Sequence, residues 1–323
     1  MKVGILGAGS IARVLARTMV KMEEVELYAV GARDFDRAKA FAKEFNIEKA
    51  YGSYEELVSD EQVGLIYVAT PHSHHAEHMR LCIEHGKPVL CEKSFTTNAK
   101  EAREVFDLAK EKGVYVAEAI WTRYMPSRAM INEIVASGIV GDISMVTSNL
   151  CYDIDGNERI VQPSLSGGAL LDVGVYGINF MLMHVPSEID HIETSVQMTD
   201  TGVDGRESIT IFLKNETMGV TTHGIYGRSD RKGIFYGERG YIIVENINNP
   251  NQINVYDGED NLIKHIDVPE QITGYEYEVR ESIKQIEAGK IESDSMPWAE
   301  SIHVLEIMDG IRTQWGLKYP QED

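Results

Sequence analysis

The 323-residue chain has only three cysteines, Cys82, Cys91 and Cys151, and no C-x-x-C pair. Widely spaced and odd in number, they exclude a disulfide framework and read as reduced thiols in or near the core of an intracellular protein. Positive charge is also short: 31 Lys and Arg stand against 51 Asp and Glu, a net charge of −20 at pH 7. That balance argues against wrapping nucleic acid or docking on an anionic membrane. An anionic ligand would need a local positive pocket. No apolar run reads as long enough to span a bilayer, so no membrane partner is expected. The first residues enter a strand pattern at once, Lys2-Val3-Gly4-Ile5-Leu6, with no signal peptide expected ahead of it and the cytoplasm as the expected location. Repeats and low-complexity linkers are lacking too. What is there, 43% hydrophobic and 25% charged, is globular in balance and long enough for two domains.

Up to about residue 120, short apolar runs alternate with helical patterns. Val3 to Leu6 reads as a strand, followed by Ile11, Val14, Leu15, Thr18, Met19 and Met22 on one helical face. Strands are predicted at 27–30, 65–69, 88–91 and 114–117, with helices between them. Ser53 to Glu56 is a capping box, and Asn98 with Glu101 caps a helix that stops at Gly113. This rhythm predicts a doubly wound parallel sheet. Beyond residue 140, seven strand-like runs near 142–151, 191–199, 207–213, 217–224, 240–245, 252–256 and 261–266 predict a mostly antiparallel sheet. Asp257-Gly258 reads as a hairpin turn, and helices are predicted at 272–288 and 299–315. The fold class expected is therefore α/β: a Rossmann domain over 1–121, then an α+β domain over 122–323 with a large open sheet. The last helix is free to pack back on the first domain.

The first strand ends in Gly7-Ala8-Gly9-Ser10-Ile11-Ala12, a G-x-G-x-x-A turn. Gly7 suits the tight turn, Gly9 lets backbone approach a pyrophosphate, and Ala12 lets helix and strand pack closely. The helix N-terminus offers free N–H groups and a positive dipole end to phosphates. The second strand ends in Gly31-Ala32-Arg33, where an NAD site usually carries a carboxylate. Arg33 and Arg37 suit a 2′-phosphate, so NADP(H) is expected over NAD(H). Asp34 follows where it could equally cap the next helix.

Thr70 to His78 contains four histidines without Cys support or an H-E-x-x-H pattern, and no metal is expected. Thr70-Pro71 instead marks a strand tip, where open sheets bind ligands, with His72 and His75 lining it. A fourth strand sets Glu92 beside Lys93 at its tip. In the second half Gly167-Gly168 breaks the chain and a helix pattern begins, placing Asp172 and Tyr176 on one face.

Read together, the glycine turn, Thr70-Pro71, Glu92-Lys93 and the run Gly167 to Tyr176 resemble the Gfo/Idh/MocA oxidoreductases over nearly the whole chain. Glu118 to Pro126, "EAIWTRYMP", further resembles the branch of dimeric dihydrodiol dehydrogenases and related aldose (xylose-type) dehydrogenases. The resemblance implies a cofactor-binding first domain and a second domain for substrate and homodimer formation through its sheet. It implies that Glu92-Lys93 is the catalytic turn, commonly followed by Pro, where this chain has Ser94. Lys93, Tyr176 and Asp172 are the implied catalytic residues, and Trp121 and Arg123 join the implied substrate pocket. Hydride transfer from a carbinol carbon requires removal of the hydroxyl proton by a group within hydrogen-bond reach. Lys93 suits binding the oxygen and stabilising alkoxide charge, and Tyr176 suits proton transfer, since an adjacent ammonium favours phenolate. Which of the two holds the transferred proton stays open. The expected function is an NADP-preferring oxidoreductase acting on a CH–OH or C=O group of a sugar, polyol or cyclic diol. The alternatives are a non-catalytic dinucleotide sensor, and a C=C or C=N reductase of the biliverdin-reductase-like type.

Overall fold

The computed structural model describes residues 1–322. The chain divides into two compact units, the first formed by Met1–Tyr124 with Gln271–Leu305, the second by Met125–Glu270 with the residues from Glu306 onward. In the first unit β1 (Lys2–Leu6), α1 (Ser10–Met19), β2 (Glu26–Gly31), α2 (Phe35–Phe45), β3 (Lys49–Tyr51), α3 (Tyr54–Ser59), β4 (Leu65–Val68), α4 (His75–Glu84), β5 (Val89–Glu92), α5 (Ala99–Lys112) and β6 (Val116–Ala119) alternate. The strands form one parallel sheet in the order β3-β2-β1-β4-β5-β6. β4, β5 and β6 are buried along their whole length, as parallel strands covered on both faces must be. Helix starts follow the capping residues. Asp34 accepts from the N–H groups of Asp36 and Arg37, Ser53 from Glu56, and Asn98 from Glu101. α5 stops at Gly113, which takes φ +64°. β6 begins two residues later than the sequence pattern predicts, because Val114 N–H closes the end of α5 on Ala109 O at 3.0 Å. β3 was not predicted, since three residues carry no readable period.

In the second unit α6 (Pro126–Ala136), β7 (Ile143–Cys151), α7 (Glu158–Val161) and a π turn at Leu170–Gly174 lead into α8 (Val175–His184). Seven further strands follow: β8 (Ile189–Met198), β9 (Asp204–Leu213), β10 (Met218–Gly224), β11 (Gly233–Gly237), β12 (Gly240–Glu245), β13 (Gln252–Asp257) and β14 (Leu262–Asp267). The sheet order is β14-β13-β12-β11-β7-β10-β9-β8, antiparallel except for the β7–β10 pair. One strand more is present than the pattern showed: β11 is three apolar residues between two glycines. α8 lies on one face of this sheet, its Phe180 ring 5.2 Å from that of Phe235 on β11. The residues from Pro163 to His184, at mean hydropathy 1.3, are long and apolar enough to cross a membrane by composition. That corrects the expectation of no such run. The physical reason for the composition is burial, 89% of the segment's apolar window lying inside the protein.

The chain then returns to the first unit through α9 (Glu276–Glu287) and the start of α10 (Trp298–Trp315). α9 begins four residues after its predicted start, because the Glu276 carboxylate takes the N–H groups of Ile272, Thr273 and Gly274. Val279 and Ile283 join the core around Val3, Ile5 and Leu15. Trp298 donates its indole N–H to Val116 O at 2.8 Å and stacks on Phe106, which stacks on Phe95. The first unit thus extends to Tyr124 and includes 271–305, where the sequence pattern ended it at 121. α10 changes unit at Leu305.

Candidate active site

Parallel strands expose their C-terminal tips as the sites where ligands meet the backbone. At the tip of β1, Gly7 has φ +107°, and a Cβ there would lie 2.8 Å from Ala69 O. Only glycine makes this turn without pushing β4 away. Gly9 is the N-cap of α1 with no side-chain cap, and a Cβ on it would approach nothing closer than Ala69 O at 3.9 Å. The first N–H groups of α1, around Ser10 and Ile11, therefore face open ground, with Ala12 fully buried behind them. Arg37 reaches back over this turn, its Nε donating to Ala8 O at 3.2 Å. Arg13, which sequence reasoning passed over, donates to Ala8 O and Gly9 O at 3.3 Å each. Arg33 is exposed at the tip of β2, and Asp34 is engaged as the α2 cap. Uncapped N–H groups, open backbone and flanking guanidinium groups are a donor set that fits a dinucleotide's phosphates.

At the tip of β4 one histidine, His75, ties the protein's own backbone together. His75, fully buried, places Nδ1 2.9 Å from Ser94 O and Nε2 2.8 Å from Thr70 O. Its ring ties the β4 tip to the turn after Lys93, donating to one carbonyl when neutral and to both when protonated. His78 Nδ1 meets Thr70 Oγ1 at 3.0 Å, and burial, helped by His74, His75 and Arg33, lowers its pKa to about 4. His72 is buried beside Pro71, its ring edge-on to His75. Among the described residues no group of three or more His, Cys, Asp or Glu is arranged to hold a metal ion.

β5 delivers Glu92 and Lys93, and the Lys93–Ser94 peptide is cis. Glu92 is buried and accepts the Tyr67 hydroxyl at 2.5 Å. Tyr67 has one hydrogen to give, yet Glu278 Oε1 also lies 3.2 Å away. Burial, with Glu92 and Glu276 nearby, holds the Glu278 pKa well above the usual carboxylate range. The Tyr67 hydroxyl serves the closer Glu92, with Glu278 as its longer acceptor. On the other side Glu118, at the tip of β6, accepts Phe95 N–H at 3.1 Å and so holds the turn that follows Lys93. Burial raises its pKa to about 7, opposed by Ser301, the Phe95 N–H, Arg123 and Lys93. Trp121 is buried and stacks on Tyr275, 4.2 Å between ring centroids. Arg123 is buried and paired with Glu300 at 2.9 Å.

The second unit carries the glycine-led segment. Gly168 has φ +119°, and a Cβ there would overlap Asp204 Oδ1. Tyr319, fully buried, donates its hydroxyl to Gly167 O at 2.6 Å. Beyond this break Asp172 lies in the π turn and Tyr176 in the first turn of α8, both buried. Asp172 Oδ1 accepts from Arg159 Nη2 of α7 at 2.9 Å. Nothing in the spacing signals Arg159, thirteen residues earlier across an irregular loop. Glu118 stood inside a motif already noticed, but its role follows only from its burial beside the Lys93 turn.

The raised pKa gives Glu118 a testable sign. Its folded pKa of about 7 exceeds the ordinary 4.5, so the stability it lends is full below pH 4.5 and is lost as pH rises through 7. Glu118→Gln should remove a decline of about 3 kcal/mol over that window. Urea unfolding of parent and variant between pH 4 and 8 checks it; parallel pH profiles would contradict it.

Comparisons with known proteins fit this geometry. The family model described as an oxidoreductase family with an NAD-binding Rossmann fold matches residues 1–119, and the GFO/IDH/MocA C-terminal domain matches 129–243. The chain is 32% identical over 335 residues to the trans-1,2-dihydrobenzene-1,2-diol dehydrogenase of Mus musculus, covering 99% of this chain and 98% of that one. It is 33% identical to the Danio rerio enzyme of the same name, with the same coverage. Among solved structures, a 3-ketoreductase from Actinomadura kijaniata in complex with NADP and TDP-benzene superimposes with a TM-score of 0.88 at 23% identity, covering 97% of each chain. An aldose-aldose oxidoreductase from Caulobacter crescentus does so with a TM-score of 0.88 at 16% identity over 98% of each. The matched domains together span most of the chain and the relatives align along its full length: this protein belongs to the Gfo/Idh/MocA family of oxidoreductases.

Proposed function

We propose that this protein is an NADP-preferring oxidoreductase that acts on a CH–OH or C=O group of a cyclic diol, sugar or polyol. The observation that carries the reading is full-length similarity to diol dehydrogenases, together with the presence of Lys93, Asp172 and Tyr176 in this chain's motifs. The nicotinamide, when bound, supplies the hydride acceptor or donor. The chain's own residues do the rest. The α1 N–H groups after Gly7 and Gly9, with Ala8, Ser10, Ile11 and Ala12 shaping the turn, hold the phosphates, and Thr70, Pro71, His72 and His75 form the adjoining wall. Lys93 binds the reacting oxygen and stabilises charge that develops on it. Tyr176 takes the hydroxyl proton in oxidation and returns it in reduction. Asp172, held by Arg159, orients the substrate hydroxyl. Trp121 contributes an apolar ring to the substrate's surroundings. Arg123 is a supporting residue, since its guanidinium is buried and paired with Glu300.

The NADP preference rests on Arg33 and Arg37. Asp34, the nearest carboxylate that could serve a ribose 2′-OH, is already accepting two backbone N–H groups of α2. A hydrogen bond to a charged group is worth about 1.5–3 kcal/mol, so Arg33→Ala should weaken NADPH about ten- to a hundredfold and leave NADH nearly unchanged. Fluorescence titration of both nucleotides checks this, and equal losses for the two would contradict it. Tyr176→Phe should lower kcat about 10²–10⁴-fold with NADPH affinity near normal. Unchanged turnover would refute the assignment.

The same reading includes a homodimer formed through the sheet of the second unit. α8 covers one face of that sheet. The other presents Val220, Ile234, Tyr236, Tyr241 and Tyr256 half-buried, with Tyr241 and Tyr256 stacked at 4.9 Å. An apolar face of that kind favours a partner. Light scattering at micromolar concentration should give twice the 36.2 kDa chain mass, and the chain mass itself would count against the dimer.

A further inference from the structure

Beneath α8 the second unit buries three ionisable side chains: Asp204 and Glu207 on β9 and His223 on β10. His223 Nδ1 meets Glu207 Oε1 at 2.7 Å, and its Nε2 meets Thr221 Oγ1 at 2.8 Å. Ser148 on β7 donates to the Thr221 hydroxyl at 2.7 Å. Asp204 Oδ2 accepts the N–H of Leu170, the first residue of the π turn, at 2.5 Å. One oxygen of each carboxyl, Asp204 Oδ1 and Glu207 Oε2, is buried with no N–H or hydroxyl donor of another residue. The neighbouring Glu207 adds to burial in raising the Asp204 pKa. With a neutral His223 the chain runs in one direction: Ser148 donates to Thr221, Thr221 to His223 Nε2, and His223 Nδ1–H to Glu207.

The glycines of α8 show what this cluster touches. A Cβ on Gly174 would overlap Glu207 Oε1, and one on Gly177 would overlap His223 Nε2 and Thr221 Oγ1. The helix backbone therefore rests directly on the cluster. Asp172 and Tyr176 lie two residues either side of Gly174, on roughly the opposite face. We propose that Asp204, Glu207 and His223 are positioning residues: they bear on the backbone of the π turn and α8 and set the height and rotation at which Asp172 and Tyr176 are presented. This rests on the roles given above to Asp172 and Tyr176.

The protonation states agree. Burial first, then the neighbouring Glu207, holds Asp204 well above the carboxylate range. Burial raises Glu207 to about 8 and lowers His223 to about 3, so the ring is neutral. The other ionisable groups facing the cluster are Cys151 on β7 and Tyr319, with Arg312 behind it; burial raises both the thiol and the phenol, which stay neutral.

The test uses the full-length protein, with NADP⁺ and the diol or aldose it oxidises fastest. Glu207→Gln keeps an acceptor for His223 but does not titrate. It should hold kcat within about threefold. It should also lose a decline of thermal stability that, in the parent, runs from the ordinary carboxylate range up to pH about 8. Glu207→Leu removes the partner of His223 and should lower kcat about a hundredfold at near-normal NADPH affinity, as expected of a misplaced catalytic group. Gly177→Ala lifts α8 from the other side and should do the same, which decides the matter if the leucine variant does not fold. A folded Glu207→Leu or Gly177→Ala protein with full kcat overturns the inference. So does a Glu207→Gln protein whose stability follows pH as the parent's does, an arm that needs no turnover. Failure of the underlying reading shows separately, as a Tyr176→Phe protein with full kcat.

Discussion

Burial of the parallel sheet on both faces is the constraint on which the first unit depends. β4, β5 and β6 have no exposed residue, so their side chains are committed to packing and chemistry is confined to the strand ends. Each residue assigned a role in this unit sits at or near such an end: the glycine turn after β1, Arg33 after β2, Thr70 to His75 after β4, Lys93 after β5, Glu118 on β6. Holding these tips in register is itself a task. His75 spans from Thr70 O to Ser94 O, and Glu118 takes Phe95 N–H, so the turn beyond Lys93 is tied on two sides.

The second constraint is the cost of burying carboxyl groups. A buried carboxylate without a partner is expensive, and the usual resolution is a proton or a donor. The protein uses both. Glu92 accepts the Tyr67 hydroxyl, and burial holds the neighbouring Glu278 well above the usual carboxylate range. Below α8 Asp204 takes the Leu170 N–H and Glu207 faces His223, its pKa raised by burial to about 8. In each unit an acidic group with a raised pKa lies one contact behind the residues assigned to chemistry, which is where a fixed proton can stiffen a site without adding charge to it.

The sequence made the local elements legible because their signals are local. Caps at Asp34, Ser53 and Asn98, glycine stops and apolar periods depend on neighbours within a few residues, and the helices follow them closely. The glycine turn and Glu92-Lys93 were visible for the same reason. What stayed hidden depends on contacts distant in the chain. The return of 271–305 to the first unit rests on Val279, Ile283 and Trp298, residues unremarkable in a helix pattern. β11 is too short to show a period. Asp204, Glu207 and His223 lie on strands where alternation shows that they point inward, but only the folded sheet shows that they meet. Arg159 reaches Asp172 from a four-residue helix that no pattern announces. Arg123 could be placed near the site by motif, yet its pairing with Glu300 needs the returning segment.

The measurement that tests the central claim most directly is absorbance at the reduced-nicotinamide band, with purified protein, NADP⁺ or NAD⁺, and a panel of trans-diols, aldoses and polyols. The account predicts a rise with NADP⁺ and at least one CH–OH substrate, faster than with NAD⁺. Tight NADPH binding with no oxidation of any member, and no reduction of the corresponding carbonyls, would contradict it.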